Sequence, residues 1–299
     1  MRHPHRRVSS CLFPLLLFVA VLTAPAGAQR ISYHRVEQGT VEQRLKTAPA
    51  RNPEREPKLH QLFEGAGCAG EALTEAAVKG AKSPNLICTL RGESDSIIVV
   101  GAHFDKVAAG EGVVDNWSGA SLLPSLFESL QGEPRRHTFI FIGFTDEEKG
   151  LVGSEAYAKR LTREERSKIR AMVNMDSLGL SPTKVWLSHA DKNLAEALNQ
   201  VAFTMKLPLA YVNVEQVGSS DSESFAKRKI PSLTIHSVTQ ETFPVLHSSQ
   251  DKLSAIHLDD YYATYRLIAV YLAYLDQTLP TGKEEPAAAQ KQTPTPSPR

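Results

Sequence analysis

The chain has 299 residues, 41% hydrophobic and 22% charged, an ordinary globular composition with room for one large domain or two small ones. Its 34 basic and 33 acidic residues leave a formal charge of +1, with Lys and Arg scattered rather than blocked. That balance argues against a nucleic-acid partner, which normally shows as a clear basic excess. No internal repeat stands out.

In chain order, Arg2, Arg6 and Arg7 precede an apolar run from Cys11 to Leu22, followed by Ala26-Gly27-Ala28. This order predicts a secretory signal peptide over residues 1–28, cleaved after Ala28, and hence an exported (secreted or periplasmic) protein. The run falls short of the roughly 20 apolar residues that span a bilayer, so no membrane span is expected after cleavage. Removing three arginines and no acid turns the charge from +1 to −2. Cys11 leaves with the signal, and Cys68 and Cys88 remain as an even pair in an exported chain, where a disulfide persists. Two unpaired buried thiols are the alternative.

Residues 29–84 read as a mixed, mostly helical segment packed on the main domain, residues 85–278. Val41–Leu45 and Leu59–Phe63 are short amphipathic pieces, and the Pro-containing stretch Ala50–Pro57 reads as a loop. Within the main domain, Ile97–Ala102 is a continuous, largely β-branched run, the pattern of a strand buried on both faces. A helix is expected over Ser118–Leu130, ending near Gly132, then a second buried strand over Thr138–Phe144. Helices over Ser154–Leu161 and Arg163–Ile169 lead to a third strand at Ala171–Met175 and a short fourth at Val185–Leu187. A helix at Asn193–Phe203, a strand at Pro231–Ile235 and a helix at Asp259–Leu275 complete the alternation. This predicts an α/β fold of three layers, a mainly parallel (mixed) central sheet with helices on both faces. Residues 279–299 turn to Thr, Pro, Glu, Lys, Gln and Ala and read as a disordered tail.

In such a sheet ligands bind outside the carboxyl ends of the strands. The first central strand runs into His103-Phe104-Asp105, the second into Asp146-Glu147-Glu148, and the third into Asp176-Ser177. Asp115-Asn116, ahead of a helix, falls on the same edge. Singly, each has an unremarkable explanation: an Asp before a helix is usually a cap, and paired glutamates usually face solvent. Capping, however, does not require three strands to end in acid at one place. Like charges packed together disfavour ionisation, and cations remove that penalty. Imidazole plus carboxylate donors suit zinc, and four or five of them exceed the three protein ligands of one catalytic zinc. The surplus points to two metals sharing a carboxylate.

The strings Gly101-Ala102-His103-Phe104-Asp105, Asp115-Asn116-Trp117-Ser118-Gly119, Glu147-Glu148-Lys149-Gly150-Leu151-Val152-Gly153-Ser154 and Asn174-Met175-Asp176, followed by His247, together resemble the co-catalytic zinc aminopeptidases. That family includes bacterial leucyl aminopeptidases and is related to glutamate carboxypeptidases. The resemblance covers roughly Asn85 to Leu275. It implies an exopeptidase acting on peptides, most closely an aminopeptidase requiring a free α-amino group, with two zinc ions per chain at the carboxyl ends of the strands. His103 and Asp176 would hold one ion, Glu148 and His247 the other, and Asp115 would bridge them. Asp105 would orient His103. Glu147 would be the general base acting on a water between the metals. His236, ending a strand, rivals His247, but the family's last ligand precedes an Asp and the closing helix, as His247 precedes Asp251. His34, His60, His137, His189 and His257 have no acidic company at a strand end and read as surface or structural.

Three departures bear on specificity. Asp146 replaces a usual small residue, and would be solvated or would raise the pKa of Glu147. Trp117 replaces another small residue and would narrow the pocket. Ser222 stands after Asp221 where a His often follows, in the segment Gly218–Phe225 that resembles one near the substrate pocket. Two rival readings are a single-zinc glutaminyl cyclase and a non-catalytic binding domain on the same fold. The Asp115–Gly119 string disfavours the first and the complete ligand set the second. The sequence leaves the oligomeric state unspecified.

Overall fold

The computed structural model describes residues 31–215 and 218–282. The expected signal peptide and nearly all of the expected tail lie outside the described residues. Helices are α1 Gln38–Leu45, α2 Asn52–Gly65, α3 Ser118–Ala120, α4 Leu122–Gln131, α5 Val152–Arg160, α6 Arg163–Lys168, α7 Lys192–Met205, α8 Ser222–Ala226 and α9 Leu258–Thr278. Strands are β1 Leu73–Ala76, β2 Asn85–Leu90, β3 Ile97–His103, β4 Thr138–Phe144, β5 Ile169–Met175, β6 Lys184–Val185, β7 Ala210–Tyr211 and β8 Ser232–His236. None of the described helices is long and apolar enough to cross a membrane.

The strands form one mixed sheet in the order β1-β2-β4-β3-β5-β8-β6-β7. Its centre, β4-β3-β5-β8, is parallel throughout, while β2 joins β4, β1 joins β2 and β6 joins β8 in antiparallel sense. The period-2 alternation of a strand sends successive side chains to opposite faces, and here both faces are covered. Ile98, Val100 and Ala102 of β3 enter one apolar core with residues of α1, α2, α4, α7 and α9, while Val99 enters a second core with Tyr157 of α5 and Phe225 of α8. Phe139 and Phe141 of β4 likewise face the first core, and Ile142 and Phe144 the second. This is the three-layer α/β arrangement expected from strands apolar on both sides.

Several boundaries differ from the expectation. The predicted loop Ala50–Pro57 is instead mostly the start of α2. Pro53 sits in the first turn, where a missing N–H costs nothing. Pro57 lies inside the helix, and tertiary contacts made by Arg55 outweigh its local cost. The helix predicted from Ser118 breaks at Ser121 into α3 and α4, and the fourth strand shrinks to two residues. The antiparallel β1 and the two-residue β7 have no counterpart in the sequence pattern; both are too short to show a period. Cys68 and Cys88 form a disulfide with a Cα–Cα distance of 6.3 Å.

Candidate metal centre

The parallel strands deliver their carboxyl ends to one edge, and the polar residues just past those ends are buried there. His103 closes β3, Asp146-Glu147-Glu148 come after β4 through a single turn, and Asp176 comes directly after β5. The Asp115 loop is tied to this edge by its neighbour Asn116. The Asn116 amide donates to the Met175 carbonyl at 2.9 Å, and its carbonyl oxygen accepts from Gly119 N at 3.0 Å and Ser177 N at 3.2 Å. A Cβ at Gly119 would lie 2.7 Å from the Met175 carbonyl oxygen, so only glycine permits this approach.

Asp115 is the hub. Its Oδ1 lies 3.3 Å from His103 Nε2, and its Oδ2 lies 3.2 Å from His247 Nε2. Asp176 Oδ1 is 3.6 Å from the same His103 nitrogen, and Glu148 Oε2 is 3.0 Å from the same His247 nitrogen. Two triads result, His103-Asp115-Asp176 and Asp115-Glu148-His247, each with three donor atoms within 4.8 Å of one another. The sequence-derived set of five is thus brought together around one shared carboxylate. Glu147 Oε2 stands 3.9 Å from His103 Nε2, beside the first triad. The rival His236 is engaged elsewhere. Its Nε2 lies 3.1 Å from the Val212 carbonyl, its Nδ1 accepts from Val238 N, and burial lowers its pKa to about 4.

Electrostatics agree with a site made for cations. Burial pushes the Glu147 carboxyl up to about 10; nearby His103 opposes that, and Asp221, Asp176 and Asp115 add to it. Glu148 is raised by burial and by Asp115, against His247. His247 is raised to about 10 by its hydrogen bonds to Asp115 and Glu148. His103 is lifted well above its ordinary value because four carboxylates outweigh its burial. Asp115 is held down by the two histidines despite its burial. Without cations, protons must do the neutralising. Glu148 Oε1 is buried with no hydrogen-bond partner, a cost a cation would relieve. The donor set, one imidazole and two carboxylates per triad, fits zinc.

Of the supporting residues, Asp105 is expected beside His103 from the sequence, whereas the backbone partners of Asp251 and Arg55 are not. Asp105 faces His103 Nδ1 at 3.4 Å and also accepts from Glu147 N at 3.0 Å and Glu148 N at 3.2 Å. One carboxylate therefore sits against the His103 ring and shapes the turn carrying the glutamate pair. Asp251, conspicuous in the sequence only for its place after His247, accepts from Val114 N at 2.7 Å and Asp115 N at 3.2 Å. Arg55 of α2 donates to the carbonyls of Phe104 at 3.0 Å, Glu111 at 2.6 Å and Gly112 at 3.0 Å, clamping both site loops. Gly112 has φ of 63°, and a Cβ there would lie 2.8 Å from that guanidinium.

Two expectations about the departures change. Trp117 does not line a pocket. It is fully buried, donates to the Arg44 carbonyl at 3.2 Å and lies under the Arg55 guanidinium, 5.6 Å from the ring centroid. The residue two positions after Asp115 faces inward to the N-terminal helices, where a large ring fills space. Asp146 pairs with Lys149 at 2.9 Å and is not among the acids that raise Glu147 most. Asp221 is: it is fully buried, is itself pushed up to about 7 by that burial, and raises Glu147 through its charge.

Over 105 residues the chain is 36% identical to Aminopeptidase Y of Saccharomyces cerevisiae, covering 35% of this chain and 20% of that protein. It thus spans about a fifth of the length of this curated relative. BSAP, a zinc aminopeptidase from Bacillus subtilis, has a structure that superposes with a TM-score of 0.58 at 25% identity, covering 64% of this chain and 49% of that one. The glutaminyl cyclase of an Acidobacteriales bacterium superposes with a TM-score of 0.66 at 18% identity, covering 85% and 99%, a likeness of fold alone. Residues 85–272, which contain every residue of the two triads, match Peptidase family M28, and the chain belongs to that family.

Proposed function

We propose that this protein is an exported, zinc-dependent aminopeptidase that holds two zinc ions and removes the N-terminal residue of peptides. The observation that carries the reading is the split engagement of Asp115, one oxygen toward His103 and the other toward His247. His103, Asp115 and Asp176 would hold one ion, and Asp115, Glu148 and His247 the other. Bound there, the ions would polarise the scissile carbonyl and lower the pKa of a water.

Glu147 then acts as general base. It lies beside the first triad without belonging to either. Burial gives it a strong hold on a proton, and two divalent cations nearby would bring that affinity down toward the working range. It takes a proton from the attacking water and passes it to the departing amine as the C–N bond breaks. Asp105 keeps His103 turned to its ligand partners.

Charge favours the amino end of the substrate. Six acids gather here, Asp105, Asp115, Glu147, Glu148, Asp176 and Asp221, and their charge exceeds that of two divalent cations. Arg55 and Lys106, the bases whose pKa responds to these acids, are spent on backbone carbonyls. A free ammonium would be welcome in such surroundings, whereas a terminal carboxylate would find no spare base among the described residues whose pKa responds to these acids. A cavity of about 270 Å³ lined by Val212, Val214, Val238 and Phe243 with Asn213, Thr239 and Gln240 adjoins the segment that leads into His247 and offers both apolar and polar walls to a side chain. Export is supported by the Cys68–Cys88 disulfide together with the leader pattern of residues 1–28.

Rates on free, N-acetylated and C-amidated dipeptides test the reading. Free and amidated substrates should be cleaved and acetylated ones left intact. Equal rates on free and acetylated peptides, or cyclisation of N-terminal glutamine without hydrolysis, would contradict it.

A further inference from the structure

A second group of donors lies on the other flank of the sheet, remote in sequence from the five ligands above. Glu56 and His60 sit one turn apart on α2, the i, i+4 spacing that places side chains on one helix face. Glu75 comes from β1, the edge strand beside it. His60 Nδ1 is 3.3 Å from Glu75 Oε1 and 3.9 Å from Glu56 Oε1, and all three donors fall within 4.8 Å of one another. Glu64 Oε1 approaches the opposite ring nitrogen of His60 at 3.8 Å.

Glu56 distinguishes this group from an ordinary charged patch. The residue is only 7% exposed, and its Oε1, pointing at His60 and Glu75, is buried without a hydrogen-bond partner. A buried acceptor left unpaired is destabilising, and more so when it is charged. His60 Nδ1 at 3.9 Å is too far to satisfy it by a hydrogen bond. An ion would satisfy it. In a tetrahedral zinc site with bonds of about 2.0–2.1 Å, neighbouring donors stand about 3.3–3.4 Å apart, which the His60–Glu75 pair already meets.

We propose that Glu56, His60 and Glu75 form a separate site for a divalent transition cation, zinc by its donor chemistry, that pins α2 to the edge strand β1. One imidazole with carboxylates favours zinc over calcium or magnesium, which take oxygen ligands alone. Glu64 would fix the ring from its other nitrogen. The ion would tie α2 to β1 locally, since all three donors come from these two elements and none from the Asp115 centre. Nothing in this site depends on how many ions the Asp115 centre holds.

The test is zinc content per chain at fixed free zinc, by equilibrium dialysis and elemental analysis, for the full chain and its His60→Ala and Glu75→Gln variants. Both side chains are partly exposed, 33% and 52%, so their replacement leaves the core intact. Each variant should bind about one zinc fewer than the parent, keep the parent's peptidase rate, and show a smaller rise in Tm on adding zinc. Equal zinc content in all three proteins overturns the proposal.

Discussion

The carboxyl edge of β4-β3-β5 and the corner formed by α2, β1 and β2 hold comparable donor chemistry on very different scaffolds. At the edge, parallel strands fall in register and end together, so residues far apart in sequence, such as His103 and His247, converge on Asp115. At the corner, a helix face meets one short antiparallel strand, and a disulfide to β2 closes the connection. The edge is mostly buried, His247 being its exposed member, and backbone N–H groups bond Asp105 and Asp251 there. Of the corner's three donors only Glu56 is buried, while His60 and Glu75 are partly exposed. Burial makes the edge dependent on cations; the corner depends on covalent and ionic staples.

Removing the metal should break this comparison most forcefully. Chelated protein should lose peptidase activity altogether, and its stability should acquire a pH dependence set by the edge. Glu147 and His247 are raised to about 10, and Glu148 and His103 are raised as well. Each therefore keeps a proton in the folded chain at pH values where the unfolded chain has released it. The folded state then binds more protons, so stability falls as pH rises from the ordinary carboxylate range near 4 toward about 10. Asp115 is lowered and works oppositely, but only in acid. Metal-free protein should melt at progressively lower temperature from about pH 6 to about pH 9, and zinc should abolish that slope. A Tm of the metal-free protein that is flat or rising over this range would show that protons do not replace cations here.

A smaller effect sharpens the contrast from the other side. The double variant Cys68→Ser, Cys88→Ser opens a loop of sequence separation 20 and should cost about 3 kcal/mol of stability through the chain-entropy term. The catalytic rate of the folded variant should be unchanged, since no ligand of the edge lies on β1 or β2. Denaturant unfolding beside kcat measures both, and a loss of rate in the folded variant would join the two regions.

The same contrast governs what is legible in the sequence. β3, β4 and β5 announce themselves as continuous apolar runs, and the residues at or just past their ends, His103, Glu147, Glu148 and Asp176, are placed by topology alone. Asp115 is placed on the same edge by the helix it precedes, and only its bridging role needs the family resemblance; His247 needs it altogether, because it sits in a loop whose path no periodicity predicts. Arg55, Asp251 and Asn116 escape sequence reasoning as supports. They act on backbone N–H and C=O groups, and such partners leave no pattern in side-chain sequence. Two prolines disguise α2 as a loop, and with it the helical spacing of Glu56 and His60. Trp117 points to the pocket only by its neighbour in sequence, whereas packing against Arg55 decides where its ring lies.

The central claim is that Asp115 unites two cation sites while the adjacent glutamates divide the labour, Glu148 holding metal and Glu147 moving the proton. Zinc content and kcat of Glu147→Gln and Glu148→Gln, measured side by side, test it most directly. Glu147→Gln should keep the parent's zinc at the Asp115 centre while kcat falls at least about 10²-fold, the scale of a lost general base. Glu148→Gln should lose about one zinc and recover part of its activity in excess metal. The account is contradicted if Glu147→Gln loses zinc while Glu148→Gln does not, or if both variants keep the parent's zinc and rate.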